Sequence, residues 1–134
     1  TVGDYLQFAQ MLLNRGEYQG KRYLGKKTVK FMTANHMGSV SADEGLTSLF
    51  NMLGSGYKVQ GMGFGMTGSV VVNPALTGLP VSKGVYSWGG AASTHFWIDN
   101  KEDLIGIVHT QLLPDGTYPV RELMQLAAYQ AIID

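Results

Sequence analysis

Several groups of residues in this sequence have types and spacings that could do chemistry. Ser55-Gly-Tyr-Lys58 has a serine and, three residues on, a lysine. At the start of a helix such a pair shares one face, and the amine can take the serine's proton during nucleophilic attack. Here the flanking Gly54, Gly56 and Gly61 make a poor helix, so the match reads as accidental. Gly63-Phe-Gly-Met-Thr-Gly68 satisfies the G-x-G-x-x-G fingerprint letter by letter. That motif works only where a helix opens at its third glycine and meets a pyrophosphate. Ser69-Val-Val-Val72 follows instead and reads as strand. His36, His95 and His109 lack metal-ligand spacing and read as packed, hydrogen-bonded side chains; Asp99, Glu102 and Asp103 read as a solvated hairpin tip. The remaining group is Tyr86-Ser-Trp-Gly-Gly-Ala-Ala-Ser-Thr94, where an indole precedes two glycines and two alanines inside a strand pattern. Internal glycine weakens a strand, so the bareness at Gly89 and Gly90 asks for a reason. Taken alone, it fits a core tryptophan above a glycine bulge.

The elements that must position these residues follow from periodicity. Thr1-Val-Gly-Asp4 fits a capping box, and Val2, Tyr5, Leu6, Ala9, Leu12 and Leu13 recur at helical spacing up to a stop at Gly16. Lys27 to Asn35 reads as a second helix with Val29, Phe31 and Met32 inward. Residues 38–61 receive no firm structure beyond a weakly helical middle, Leu46 to Leu53. Gly63 to Asn73 reads as one strand broken by Pro74, followed by strands at Val85–Gly90, Thr94–Asp99 and Leu104–Leu112. Pro119 sits at the N1 position of a last helix whose buried side would be Val120, Leu123, Ala127 and Ile132. The expected fold is α+β: an antiparallel sheet of about four strands flanked by helices, with the sheet's outer face and the first helix wanting further partners.

The 134 residues suffice for one modest domain. Ten basic residues balance ten acidic ones, which argues against a nucleic-acid partner. The absence of cysteine removes thiolate nucleophiles and Cys-type zinc sites, and no cofactor or metal is expected. No apolar run reaches the length of a membrane span. The start at Thr1, directly in a helix pattern, suggests a piece of a longer polypeptide.

The segments "DYLQFAQMLLNRGEYQGKRYLGKKTVKFMTANHM", "GFGMTGSVVVNPA" and "YSWGGAASTHFWIDNKEDLIGIVHTQLLP" together resemble the C-terminal portion of β-lactamase-like serine hydrolases. Within that family the nearest branch is the carboxylesterases related to class C β-lactamases and to D-alanyl-D-alanine peptidases. The resemblance implies that residues 1–134 are a single incomplete domain, the C-terminal part of the β-lactamase/transpeptidase-like fold. Where penicillin-recognising members carry Lys-Thr-Gly on the active-site strand, this chain carries Trp88-Gly89-Gly90. By position, Ala91 would then donate its backbone N–H to an oxyanion hole, the nucleophilic serine supplying the second donor. Trp88, Gly89, Gly90 and Ala91 would form the substrate-binding strand edge. An indole in place of lysine favours neutral esters or amides over anionic penicillins. The family's second motif, Tyr-x-Asn or Tyr-x-Ser, follows none of the seven tyrosines. The chain is thus expected to need a preceding half that carries the nucleophile, and to be inactive alone. β-Lactamase or D-alanyl-D-alanine peptidase activity is the alternative within the fold; a non-catalytic binding or assembly module, self-associating through an exposed strand edge, is the alternative outside it.

Overall fold

The computed structural model describes residues 1–37 and 59–133, so Leu46–Leu53 and Ser55–Lys58 lie outside the described residues. Helix α1 (Val2–Leu13) opens on the expected capping box: Asp4 N–H donates to Thr1 Oγ1 at 3.2 Å, and the Thr1 hydroxyl donates to the Asp4 carboxylate at 2.6 Å. It closes on a Schellman pair, with Arg15 N–H on Leu12 C=O at 2.9 Å and Gly16 N–H on Met11 C=O at 2.8 Å. The left-handed residue at C′ is therefore Arg15 (φ 56°), with Gly16 one place beyond. A Cβ on Gly16 would lie 2.1 Å from Leu24 O, so close approach selects the glycine there.

A small hairpin, β1 (Glu17–Tyr18) and β2 (Lys21–Arg22), leads to α2 (Lys26–Met32). Val29 is the buried residue of α2, whereas Phe31, expected inward, is exposed and sets its ring edge on His36 at 4.5 Å between centroids. Two residues turn a helix by about 200°, so Val29 and Phe31 cannot both face in.

The main sheet has five antiparallel strands in sequence order: β3 (Met62–Phe64), β4 (Ser69–Val71), β5 (Tyr86–Gly90), β6 (Thr94–Asp99) and β7 (Leu104–Val108). The expected strand from Gly63 to Asn73 is two strands, because Gly65 N–H closes on Gly68 C=O at 2.7 Å and turns the chain back. No helix opens at Gly68, in keeping with the rejection of a dinucleotide site. A short α3 (Pro74–Thr77) precedes β5, and α4 (Val120–Gln130) ends the fold, Pro119 standing at its N-cap and not at N1. Strand β7 stops at Val108, short of the expected Leu112, since the following residues bond back to the turn between β5 and β6.

Each face of the sheet carries a helix of this chain, while Val2, Leu6 and Phe8 of α1 stay exposed. Ala9 and Leu12 of α1 pack with Val70, Tyr86, Phe96 and Ile98 on one face. Met62, Val71, Val85 and Trp97 pack with Tyr129 of α4 on the other. The inward residues of α4 are Arg121, Gln125 and Tyr129, while Leu123 is 58% and Ile132 37% exposed. This reverses the apolar pattern, and Tyr129 turns inward to meet Asp99. That carboxylate is not at a solvated tip: it is 1% exposed and accepts from Tyr129 Oη at 2.7 Å, Lys101 N–H at 2.9 Å, Glu102 N–H at 3.2 Å and Ser82 N–H at 3.3 Å. A hydrogen bond to a charged group contributes about 1.5–3 kcal/mol, comparable to the burial that the exposed Leu123 and Met124 forgo.

Gly106 on β7 stands opposite Trp97, and a Cβ there would lie 2.0 Å from the indole ring. Gly106→Ala is expected to destabilise the fold by about 2–3 kcal/mol, read as a lower urea midpoint of the chain. An unchanged midpoint would contradict the seating of Trp97 on β7.

Candidate active site

Strand β5 is the middle strand of the sheet, yet part of it has an open side. It pairs with β4 only through Ser69↔Ser87 and Val70↔Tyr86, whereas β6 pairs with it from Tyr86↔Ile98 to Gly90↔Thr94. Within the sheet, Trp88, Gly89 and Gly90 thus have a strand on one side only. The end of β4 is held by the Ser69 hydroxyl, which donates to Ser87 C=O at 2.9 Å. Past that point no described strand lies beside β5 on its β4 side.

The sequence-derived residues are brought together on this stretch. Trp88 is half-buried and meets Phe64 edge-on at 5.1 Å between centroids. Trp88, Gly89 and Gly90 line a cleft of about 180 Å³ with Tyr5, Phe96 and His109. Ala91 is the first residue past the last ladder pair and is exposed. The turn it begins is strapped from behind: Thr110 Oγ1 donates to Ala92 C=O at 2.7 Å, and Ser93 Oγ donates to Leu112 C=O at 3.0 Å.

The reverse face shows what the glycine at 89 makes room for. A Cβ there would sit 2.5 Å from Thr94 O and 2.7 Å from Arg121 Nη2. Arg121 Nη2 donates to Gly90 C=O at 3.3 Å and pairs with Asp115 at 2.5 Å. Beside it a second cavity of about 200 Å³ is lined by Ser87, His95, Arg121 and Gln125 among others. Sequence reasoning missed Arg121 and Asp115. The signal was present in the 121–125–129 spacing of Arg, Gln and Tyr, a polar stripe on a helix read only for its apolar residues.

Of the three histidines, His36 Nε2 lies 2.7 Å from Phe31 O, and His109 is exposed with its ring 6.1 Å from Tyr5. His95 departs from expectation. It is 2% exposed and stacks on Trp97, and among the described residues neither ring nitrogen has a hydrogen-bond partner. Burial, reinforced by the Arg121 charge and opposed by the Trp88 main chain, pushes its pKa down to about 3. A neutral imidazole there stacks on the indole of Trp97. For Asp99, burial raises the pKa but the bonds from Tyr129, Lys101, Ser82 and Glu102 outweigh it, and the net direction is down. Among the described residues, no group of three or more acidic, His or Cys side chains could hold a metal, and no helix is long and apolar enough to cross a membrane.

No family model matches the chain. It is 38% identical over 119 residues to Protein Rv1367c of Mycobacterium tuberculosis strain H37Rv, and equally to the uncharacterised protein MT1414 of strain CDC 1551. The match takes in 86% of this chain but 28% of each relative, so the chain spans little over a quarter of their length. Among solved structures it superposes on unliganded simvastatin synthase (LovD) from Aspergillus terreus with a TM-score of 0.74 and 22% identity, covering 96% of this chain and 34% of that one. EstCE1, described as a hydrolase with promiscuous acyltransferase activity, gives a TM-score of 0.66 at 24% identity, covering 94% and 28%. The fold is thus α+β, the C-terminal part of the β-lactamase-like fold, with five strands where about four were expected.

The unfolded chain binds a proton at His95 near pH 6.5, whereas the folded chain resists it down to about 3. Stability therefore falls as pH drops through that window, by about 1.4 kcal/mol per unit. Between pH 6.5 and 5, above the range in which Asp99 titrates, the urea midpoint should decline, and His95→Gln should flatten the decline. A wild-type midpoint constant over that range would contradict the buried neutral imidazole.

Proposed function

We propose that this chain forms the oxyanion-binding wall of a serine hydrolase that acts on esters or amides through an acyl-enzyme. The observation that carries the reading is the bare stretch Gly89–Ala91 at the point where β5 loses its β4 neighbour. The nucleophilic serine belongs to a part of the polypeptide preceding this chain. Its attack on the substrate carbonyl turns the carbonyl oxygen into an oxyanion, which accepts from the Ala91 N–H and from the serine's own N–H. Collapse expels the alcohol or amine and leaves the acyl group on serine; water then repeats the sequence to release the acid. An alcohol in place of that water gives acyl transfer, the second activity named for EstCE1. A backbone donor reaches a developing oxyanion only where no side chain intervenes, which is what residues 89–91 supply.

The substrate class follows from charge. Trp88 faces the cleft with an apolar wall, and Arg121, the cation that touches this strand, is paired with Asp115 on the other face. Neither offers an ammonium to a substrate carboxylate, so neutral esters and amides fit better than anionic β-lactams.

Two variants of the full-length polypeptide test the reading. Ala91→Pro deletes the N–H while Gly90 keeps the extended backbone that precedes a proline. It should lower kcat on p-nitrophenyl butyrate by about 10²–10³-fold. Trp88→Lys should shift preference from that ester towards nitrocefin. A polypeptide with no Ser-x-x-Lys ahead of Thr1, or an undiminished rate in Ala91→Pro, would end the hydrolase reading. An unchanged preference in Trp88→Lys would remove the substrate assignment alone.

A further inference from the structure

We infer that Arg121 is a positioning residue for the oxyanion donor, an inference that rests on the hydrolase reading above. The Gly90 carbonyl and the Ala91 N–H are the two ends of one peptide group. That group is trans, the cis bond among the described residues being Leu113–Pro114. In a trans peptide the C=O and N–H point in opposite directions. Arg121 Nη2 donates to the Gly90 carbonyl at 3.3 Å from the α4 side, so the Ala91 N–H is aimed away from the arginine. The guanidinium has little freedom to wander: its Nη2 lies 2.5 Å from Asp115 Oδ2, and the two side chains are only 11% and 13% exposed. The Thr110 hydroxyl on Ala92 C=O fixes a second carbonyl of the turn, two residues on. The peptide that presents the N–H is thereby held at its carbonyl end.

The contact also acts on electron density. A cationic donor on a carbonyl draws charge across the peptide and strengthens the same group's N–H as a donor, an effect that grows in low-dielectric surroundings. The arginine can approach only because residue 89 has no Cβ, which would lie 2.7 Å from Nη2 and 2.8 Å from Cζ. The glycine thus serves two faces of one strand: the guanidinium behind and the substrate edge in front.

The test is made on the full-length polypeptide, acylated with p-nitrophenyl butyrate carrying ¹³C at the carbonyl. The infrared stretch of the acyl carbonyl reports the strength of the oxyanion-hole bonds directly. In Arg121→Met the stretch should move to higher wavenumber and kcat should fall about tenfold with KM within twofold; Arg121→Lys, which keeps a cationic donor, should recover at least half of the frequency shift. Should Arg121→Met fail to fold, Asp115→Asn releases the guanidinium without removing it and should produce a smaller shift in the same direction with a threefold loss of kcat. An unmoved carbonyl stretch in the folded variants, or a loss confined to Tm, overturns the role of Arg121 while leaving the hydrolase reading intact. A wild-type polypeptide that forms no acyl-enzyme overturns the hydrolase reading and, with it, this inference.

Discussion

The buried carboxylate of Asp99 is the constraint on which the rest of the molecule turns. It lies at the end of β6, closed off from water, and satisfies itself with the Tyr129 hydroxyl and three main-chain N–H groups. The Tyr129 bond fixes which face of α4 meets the sheet. With Tyr129 inward, the residue two turns earlier, Arg121, comes to lie against β5, where Asp115 and the Gly90 carbonyl receive it. A charge on one strand thus decides, through a helix, what stands behind the main chain of the next strand.

From that arrangement the bare stretch of β5 acquires two surfaces with different chemistry. Behind it a guanidinium, an imidazole and a glutamine share a cavity with Met62, Val71 and Leu79. In front are Trp88, Tyr5 and Phe96 around an apolar cleft. Along its side the ladder with β4 ends at Ser87, just before the residues that carry no side chain. Glycine at 89 is required twice over, by Thr94 O and by Arg121, and the residue at 88 is the one that sets the character of the cleft.

The legible parts of the sequence were those governed by local rules. The Thr1–Asp4 capping box, the strand Thr94–Asp99 and the split of Phe96 and Ile98 from His95 and Trp97 all follow from neighbours along the chain. The grouping of Trp88, Gly89 and Gly90 on one strand was legible for the same reason. What escaped were features set by distant partners. The Gly65–Gly68 turn is a main-chain closure that residue types barely signal, so two strands read as one. Asp99 looked solvated because its partner Tyr129 lies thirty residues on. The inward face of α4 was misjudged because apolar spacing was weighed and the Arg121–Gln125–Tyr129 stripe was not.

The two coverings of the sheet are fastened differently. On the α1 side Ala9 and Leu12 meet the sheet through apolar contact. On the α4 side Tyr129 joins an apolar cluster too, and an ion pair, a phenol on a carboxylate and a guanidinium on a carbonyl are added to it. Apolar contact is non-directional, whereas hydrogen bonds weaken steeply away from their axis, so the helix behind β5 has its rotation fixed more narrowly than the helix in front.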